Sequence, residues 1–474
     1  MKVLLAYSLL IFGLGLNYIF NIAIARILGP HDYGNFSYAI YYFNIFSLVA
    51  ICSLDQAALR YISQTANSKD YRVAIQYLSI VCGILFSIVY FISVFLFVDD
   101  ERSTLASLFG ASIIPFVLLT VNVAILQAEH IVGPRMAFRY VIEPILKFFL
   151  FFLFFYYFHA GVAAPVLAFF AALTATHFAA VLSFRHRLGF ISLRPIKDRV
   201  ITIFKFSAPL AIGNAVTVLS GRLDLIILGA LVSASDLGNY SAAVQTAAII
   251  IIVLQGIETV YAPIFSEHIG LLNYSTLKDD YQRALRWAVL ISSPVILIFI
   301  VYPDLVMLPF GAKYQGASTI LAVLCVGQFL ILAMGSANAI LMMLGKSKLV
   351  LYISLISVVL TAVFVTAGAH YKGVIGAAIG VVVAIALTNM VRVFFTFQLT
   401  GCHPFSKSYL KMLASLLLTV IAGFLTKSYL LNVGVVLYPL LFIVFVVTFG
   451  MHMEDKLTIL NLSKKFLKVN LKRN

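Results

Sequence analysis

The chain has 474 residues, of which 62% are hydrophobic and only 11% are charged, and its mean hydropathy is +1.04. Because soluble domains are on average about half apolar and about a quarter charged, this composition excludes an ordinary soluble domain and indicates a polytopic membrane protein. The formal net charge is +15, and its distribution along the chain indicates membrane topology and gives no reason to expect a nucleic-acid partner.

The apolar runs predict an all-α integral membrane protein, because a hydrocarbon core about 30 Å thick needs about 20 helical residues per crossing. We predict fourteen spans, at roughly 4–25, 36–55, 73–98, 105–128, 138–158, 161–184, 203–231, 240–264, 285–305, 317–343, 349–369, 373–398, 409–429 and 433–451. The first of these could instead be a signal peptide. We favour a span, since the segment is long enough to cross and carries one copy of the repeat described below.

The basic residues give the orientation. With the N-terminus in the cytoplasm, 25 of the 33 Lys and Arg residues lie on the cytoplasmic side, 5 lie on the opposite side and 3 lie inside spans. This asymmetry is what the positive-inside rule predicts. We therefore expect a multi-pass protein of the bacterial inner membrane with both termini in the cytoplasm.

One turn sequence occurs twice, at the same place in two halves of the chain. Residues 25–39 read ARILGPHDYGNFSYA and residues 228–243 read LGALVSASDLGNYSAA, so that both contain D-x-G-N-[FY]-S-x-A with an offset of 204 residues. Gly34 and Gly238 can adopt positive φ there, and Asp32 and Asp236 are expected to cap the following helices. Since six helices separate the copies, the halves cross the membrane in the same sense, as in transporters built from parallel repeats.

We accordingly expect two six-helix bundles, at residues 1–200 and 201–400, with a substrate path between them. Residues 401–474 would add two further transmembrane helices and a basic cytoplasmic tail.

The first turn, ARILGPHDYGNFSYA, closely resembles the first-hairpin signature of polysaccharide flippases of the Wzx type. These belong to the superfamily that also contains multidrug MATE transporters and the lipid II flippase. Pro294 followed by FGAKYQGA, ILMMLGKSK at 340–348 and HYKGVIGAAIGVVVA at 370–384 resemble the same family. The resemblance covers residues 1 to about 400 and implies a transporter type without naming the sugar.

The resemblance implies that the chain is no enzyme and flips a polyprenyl-pyrophosphate-linked oligosaccharide for surface (O-antigen-type) polysaccharide synthesis. Expected partners are this lipid and the surrounding membrane lipids, with a polysaccharide polymerase and a chain-length regulator as further candidates. We expect no cofactor, and no Walker A stretch is present, so an ion gradient is the expected drive. The alternatives are a cation antiporter of the MATE type and a membrane-embedded glycan polymerase, but the surplus arginines and the short outer loops argue against them.

Ionisable residues inside the membrane cost about 2.5–3.5 kcal/mol each on insertion scales and are kept where they face a cavity or a partner. The predicted cations for an acidic lipid headgroup are Arg222, Lys147, Arg60, Arg392 and Arg26. The predicted ion-coupling carboxylates are Asp224, Glu129 and Glu143. No Cys/His cluster has metal-ligand spacing.

Structural alternatives exist for four of these cations. Arg222 and Asp224 point about 200° apart on a regular helix, so one of them could face a cavity while the other pairs with a neighbouring helix. Glu143 and Lys147 could neutralise each other as an i, i+4 pair. Arg392 could reach the interface, and Arg26 could pair with Asp32.

Overall fold

The computed structural model describes residues 2–64, 68–129, 131, 133, 137–188, 197–426 and 431–446. Within these ranges the regular structure is helical and contains no strand, which confirms the predicted all-α class. Large apolar side chains lie on the protein surface, with Phe95 and Phe97 exposed to 87% and 75%. Such a surface is stable only against lipid.

Nine of the helices in the described ranges lie in the amino-terminal part of the chain. They are α1 Lys2–Leu28, α2 Pro30–Ala50, α3 Leu54–Gln64, α4 Ser68–Phe97, α5 Asp100–Gly110, α6 Ile113–Ala128, α7 Glu143–Phe152, α8 Ala164–Ser183 and the short α9 Arg185–Leu188. Helix α7 is continued at both ends by π-helical turns, Phe138–Ile142 and Leu153–Tyr157.

Ten more helices follow among the residues that the structure describes. They are α10 Lys197–Leu231, α11 Ala234–Ala247, α12 Ile251–Gly270, α13 Tyr274–Val301, α14 Pro303–Met307, α15 Ala317–Met334, α16 Ala337–Met343, α17 Ser347–Thr400, α18 Lys407–Thr426 and α19 Leu431–Phe445.

Eleven helical segments in the described ranges are long and apolar enough to cross a membrane. One of them, α17, is bent sharply at Gly373, which has φ 56°, so that its two arms cover the two predicted spans on either side. The segment around α7 and the shorter α19 coincide with the other predicted spans. The count of fourteen stays a prediction, and the basic tail lies outside the described residues.

The contacts divide the chain into two compact units. The first unit contains Met1–Ala242, Pro309–Gly316 and Val358–Ala377, and the second contains Ala243–Leu308, Ala317–Ser357 and Ala378–Asn474. The predicted domain boundaries at 200 and 400 stay predictions.

The first unit has an aromatic core. Phe43 packs edge-on against Phe116 and Phe169 and stacks on Phe109, with ring centroids 5.3 to 5.7 Å apart. In the second unit, the two C-terminal helices belong to the core, since Tyr409 of α18 and Phe442 of α19 are fully buried in one cluster with α13.

The two copies of the repeated turn touch each other within the first unit. A Cβ atom on Gly34 would overlap the carbonyl oxygen of Ala234, and one on Gly238 would overlap the carbonyl oxygen of Pro30. Only glycine fits such a close approach of two backbones. The prediction that these glycines adopt positive φ is wrong, because both lie inside helices α2 and α11.

The helix caps also differ from the predicted caps, Asp32 and Asp236. Helix α2 begins at Pro30 after Gly29, whose φ is 82°, and Asp32 lies in its first turn. Helix α11 is preceded by Ser233, whose hydroxyl accepts from the N–H of Asp236 at 3.2 Å and donates to its carboxylate at 2.8 Å. Ser233 thus caps the helix as the Ser of a capping box does, and Asp236 supports the cap by accepting from its hydroxyl without being the cap itself.

Candidate functional site

Helices α2 and α3 run antiparallel to α10 in the first unit, and this seam carries two of the predicted cations. From one end to the other, the contacts join Tyr38 to Gly229, Tyr41 to Arg222, Ser53 to Asn214, and Arg60 to Phe206. We call this set of contacts the α10 seam. Gly229 lies under the ring of Tyr38, which lets the helices approach closely at this end.

Arg222 lies half-buried on the seam. Its guanidinium carbon is 5.0 Å from the centroid of the Tyr41 ring, a distance at which a cation is attracted by the ring face. Among the described residues, no carboxylate lies within 4.0 Å of it. Its charge is therefore available to an anionic ligand.

Asp224, two residues further along α10, points elsewhere. Its side chain is 9% exposed and accepts a 2.6 Å hydrogen bond from the hydroxyl of Tyr240 on α11. Helix α10 runs unbroken through Gly221. Of the two arrangements left open for this helix, the structure has the one in which Asp224 finds its partner on a neighbouring helix. Its predicted ion-coupling role stays a prediction.

Arg60 marks the other end of the seam. Its guanidinium lies 4.6 Å from the centroid of Phe206 and borders an open cavity of about 420 Å³, which is lined by Gln56, Leu59, Arg60, Phe206, Leu210 and Asn214. The cavity lies beside a break between α2 and α3, where Cys52 and Ser53 have φ 49° and 54°. Asn214 donates a 2.9 Å hydrogen bond to the Ser53 hydroxyl and so fastens this break to α10.

Lys147 and Glu143 on α7 are both buried, at 6% exposure each. The Lys147 ammonium donates to Asn17 Oδ1 of α1 at 2.7 Å, whereas it lies 3.9 Å from Glu143. The closer partner of Glu143 is Arg139, at 2.7 Å. Glu143 thus lies between two cations, and the three residues together have one formal positive charge. Glu143 and Lys147 are therefore not the isolated, self-neutralised ion pair that their i, i+4 spacing allows.

Glu129 at the end of α6 is also paired with cations. Its carboxylate lies 3.5 Å from Arg72 and 3.9 Å from Arg187. These contacts tie together the ends of α4, α6 and α9. Its proposed coupling role stays a prediction.

The remaining two predicted cations lie apart from the seam. Arg26 is exposed near the end of α1, and the predicted pairing with Asp32 is not among the contacts of the described residues, where Asp32 contacts His31 at 3.1 Å. Arg392 belongs to the second unit, where it donates a long 3.4 Å hydrogen bond to Asn389.

A further cation, Arg102 on α5, is not among the residues that we predicted from sequence. It is 6% exposed, and it donates to the carbonyl oxygens of Gly229 and Val232 at the end of α10 and to Asn35. A cation is favourable at this place because the last carbonyl groups of a helix lack partners within it. The signal in the sequence is that Arg102 is one of only 5 cations on the predicted outer side.

The described residues contain no group of three or more His, Cys, Asp or Glu side chains that could hold a metal ion. The α10 seam itself carries a row of aromatic rings, amides and guanidinium groups. Such a surface can bind anionic and hydroxylated groups by hydrogen bonds and charge.

Comparisons with known proteins show which families and folds this chain resembles. Residues 2–268, more than half of the chain, match the family described as polysaccharide biosynthesis protein. Residues 209–367 match the MatE family. The teichuronic acid biosynthesis protein TuaB of Bacillus subtilis (strain 168) is 27% identical over 169 residues. That alignment spans 35% of this chain and 34% of the relative.

Solved structures share the fold. The lipid II flippase MurJ in an inward closed conformation has a TM-score of 0.76 at 14% identity, over 94% of this chain and 98% of that chain. An inward-facing multidrug resistance MATE family transporter of the MOP superfamily has a TM-score of 0.69 at 16% identity, over 81% and 94% of the two chains. The resemblance is thereby confirmed for the family and the fold, and the chain belongs to the polysaccharide biosynthesis protein family.

Proposed function

We propose that the chain flips a polyprenyl-pyrophosphate-linked oligosaccharide across the bacterial inner membrane by alternating access, for the synthesis of a surface polysaccharide. An ion gradient would drive the movement, and the lipid tail would stay in the bilayer. Family membership supports a role in polysaccharide synthesis, and the fold that the chain shares with the lipid II flippase supports a lipid-linked cargo.

The observation that carries the proposal is the guanidinium of Arg222 on the α10 seam, which lies over the Tyr41 ring and has no ion-pair partner among the described residues. A pyrophosphate needs cations within the membrane, and an arginine stacked on a tyrosine ring presents its N–H groups at a fixed orientation. Charge-assisted hydrogen bonds of this kind are about twice as strong as neutral ones.

The seam places a second cation far from the first. Phe206, which contacts Arg60, and Arg222 are sixteen residues apart on one helix. At 1.5 Å per residue this is about 24 Å, most of the thickness of a hydrocarbon core. A headgroup that moves along the seam would therefore find a guanidinium near each membrane face. Lys147, Arg392 and Arg26 are proposed as further contacts during the conformational change.

The orientation rests on the distribution of positive charge, which supports cytoplasmic termini. The proposed coupling groups are Asp224, Glu129 and Glu143. A polysaccharide polymerase and a chain-length regulator remain candidate partners, since each would handle the same glycan after it is flipped.

Complementation tests the proposal. A host that lacks the gene should regain its surface glycan with the natural chain and with Lys205→Ala, which removes an exposed cation from the same helix. Arg222→Ala should restore little glycan and Arg222→Lys an intermediate amount, since lysine keeps the charge but not the planar, stacked group. A normally produced Arg222→Ala protein that restores full surface glycan would refute the assigned role.

A cation antiporter is the second candidate, because part of the chain matches the MatE family. The discriminating assay is efflux of ethidium from cells that produce the protein. We expect no efflux above that of cells without the gene. Efflux that depends on Asp224 would favour the antiporter.

A further inference from the structure

The cavity beside Arg60 lies between one face of α3 and one face of α10, both in the first unit. The wall on α3 is an i, i+3, i+4 set, which shares one helix face and consists of Gln56, Leu59 and Arg60. The wall on α10 is an i, i+4, i+8 row made by Phe206, Leu210 and Asn214. The volume of about 420 Å³ is within the range of small-molecule sites, about 300–1,000 Å³. The cavity is therefore large enough for more than a single ion.

A ladder of aromatic rings fixes the cation of this cavity. The Arg60 guanidinium lies 4.6 Å from the ring centroid of Phe206 and 5.6 Å from that of Tyr61. Tyr61 meets Phe206 edge-on at 5.6 Å and stacks on Tyr71 of α4 at 5.0 Å. The Tyr71 hydroxyl accepts a 2.7 Å hydrogen bond from Arg199 of α10. Because three helices hold this ladder, a ligand of Arg60 loses less free energy to the ordering of its side chain.

The two amide side chains of the cavity have unused hydrogen-bonding groups. Asn214 donates from its amide nitrogen to the Ser53 hydroxyl at 2.9 Å, and its carbonyl oxygen has no partner among the described residues. The exposed Gln56 amide likewise has no hydrogen-bond partner in the described part of the chain. No carboxylate of the described residues lies within 4.0 Å of Arg60. The cavity thus combines an unneutralised guanidinium with two amide carbonyl acceptors.

A ligand that satisfies these groups carries both an anion and hydroxyl groups. The oxygen atoms of a phosphate accept hydrogen bonds and match the fork of donors on an arginine. They cannot satisfy the amide carbonyl oxygens, which need a donor such as a hydroxyl group. A sugar phosphate has hydroxyl groups next to its phosphate, whereas inorganic phosphate does not offer a ring of such donors.

We propose that this cavity binds the sugar that is linked directly to the phosphate of the lipid. Arg60 binds the phosphate, and Gln56 and Asn214 bind hydroxyl groups of the sugar. Arg60 lies on the predicted cytoplasmic side, so that the cavity selects the cargo by its first sugar before the headgroup moves along the α10 seam. This inference rests on the flippase function proposed above.

Soluble probes test the site on the full chain in lipid nanodiscs. A ligand that binds the folded protein raises its melting temperature in a concentration-dependent way, and the single tryptophan, Trp287, reports the transition. The probes are the 1-phosphates of glucose, galactose, mannose and N-acetylglucosamine, with inorganic phosphate and glycerol 1-phosphate for comparison. At least one hexose 1-phosphate should bind about tenfold more tightly than both comparison compounds, since it adds hydrogen bonds to the amides.

Variants separate the phosphate contact from the sugar contacts. Arg60→Ala should abolish binding of every probe, and Arg60→Lys should weaken it. Gln56→Leu should bring the tightest hexose 1-phosphate close to the affinity of inorganic phosphate, whose own binding should not change. Gln64→Leu makes the same substitution at an exposed position of α3 outside the cavity, and Lys205→Ala removes an exposed cation next to Phe206. Both controls should bind the probes as the natural chain does.

Equal affinities for the hexose 1-phosphates and glycerol 1-phosphate would assign the cavity to phosphoglycerol headgroups of lipids and overturn the sugar site. Equal affinity for inorganic phosphate, no binding of any probe, or a preference that persists in Gln56→Leu would also overturn it. A Gln56-dependent preference in a protein whose deletion leaves the surface glycan intact would support the site and count against the proposed function. Loss of the glycan on deletion, without any preference among the probes, would count against the sugar site alone.

Discussion

Gly34 and Gly238 occupy reciprocal positions at the contact between α2 and α11. Gly34 lies against the carbonyl group of Ala234 and the backbone N–H of Gly238, and Gly238 lies against the carbonyl group of Pro30. The 204-residue offset that relates the two glycines also relates Pro30 to Ala234. The contact therefore has approximate two-fold symmetry within one chain, as expected when two homologous halves pack through the same surface.

Gly34→Ala should destabilise the protein, because the added methyl group would overlap a backbone carbonyl that cannot move alone. Overpacking of this kind costs about 1–3 kcal/mol. The melting temperature of the purified protein, followed through Trp287 fluorescence, measures the effect. Gly221→Ala is the control, since a Cβ there meets nothing within 4 Å. Equal melting temperatures for the two variants would contradict the close contact.

The sequence allowed the fold class and the positions of most spans to be predicted, because a membrane crossing needs a long apolar run and the chain has little else. The repeated turn predicted two equivalent hairpins, whereas the packing of one hairpin against the other was not predicted. The break at Cys52–Ser53 could not be predicted, since it contains no Gly or Pro residue of the kind that usually marks a turn. The break at Ser336, between α15 and α16, was missed although Gly335 precedes it, because an isolated Gly is also tolerated within a helix. Arg102 was missed because its partners are backbone carbonyls of a distant helix, which leave no pattern in the sequence.

Cys52 has a left-handed backbone conformation, and we predict that the break between α2 and α3 is strained at this residue. Its φ of 49° costs an L-residue about 1–2 kcal/mol, and glycine avoids this cost. Cys52→Gly should therefore keep or raise the melting temperature, although glycine gains chain entropy in the unfolded state. Cys82→Gly lies within helix α4 and should lower the melting temperature, because glycine is unfavourable by about 1 kcal/mol in a helix interior. A lower melting temperature for Cys52→Gly than for Cys82→Gly would show that the break is not strained.

Arg102 is expected to stabilise the first unit and to have no direct part in transport. Arg102→Ala leaves the carbonyl oxygens of Gly229 and Val232 without this donor, and each buried unsatisfied group costs about 1–3 kcal/mol. We expect a lower melting temperature, with Arg102→Lys intermediate because one ammonium cannot reproduce the fork of donors. Arg26→Ala, which removes an exposed arginine, should melt as the natural chain does. A stable Arg102→Ala protein that has lost transport would instead place this residue in the substrate path.

The variant Glu143→Gln tests whether this carboxylate has a structural role or an ion-coupling role. Its carboxylate lies 2.7 Å from Arg139 and 3.9 Å from Lys147, so Glu143→Gln removes the charge that both cations share. Removal of one partner from a buried ion pair costs about 3–5 kcal/mol, and the cost should be smaller here because the Arg139 side chain is 29% exposed. We expect a lower melting temperature and a lower protein level in the membrane. The double variant with Lys147→Met should recover part of the melting temperature and part of the protein level, since only Arg139 is then left without its counter-charge. Asp198→Asn, at an exposed position, controls for the loss of an acidic charge. If Glu143→Gln is as stable as the natural chain but no longer restores surface glycan, the carboxylate acts in coupling and not in balancing the charges of Arg139 and Lys147.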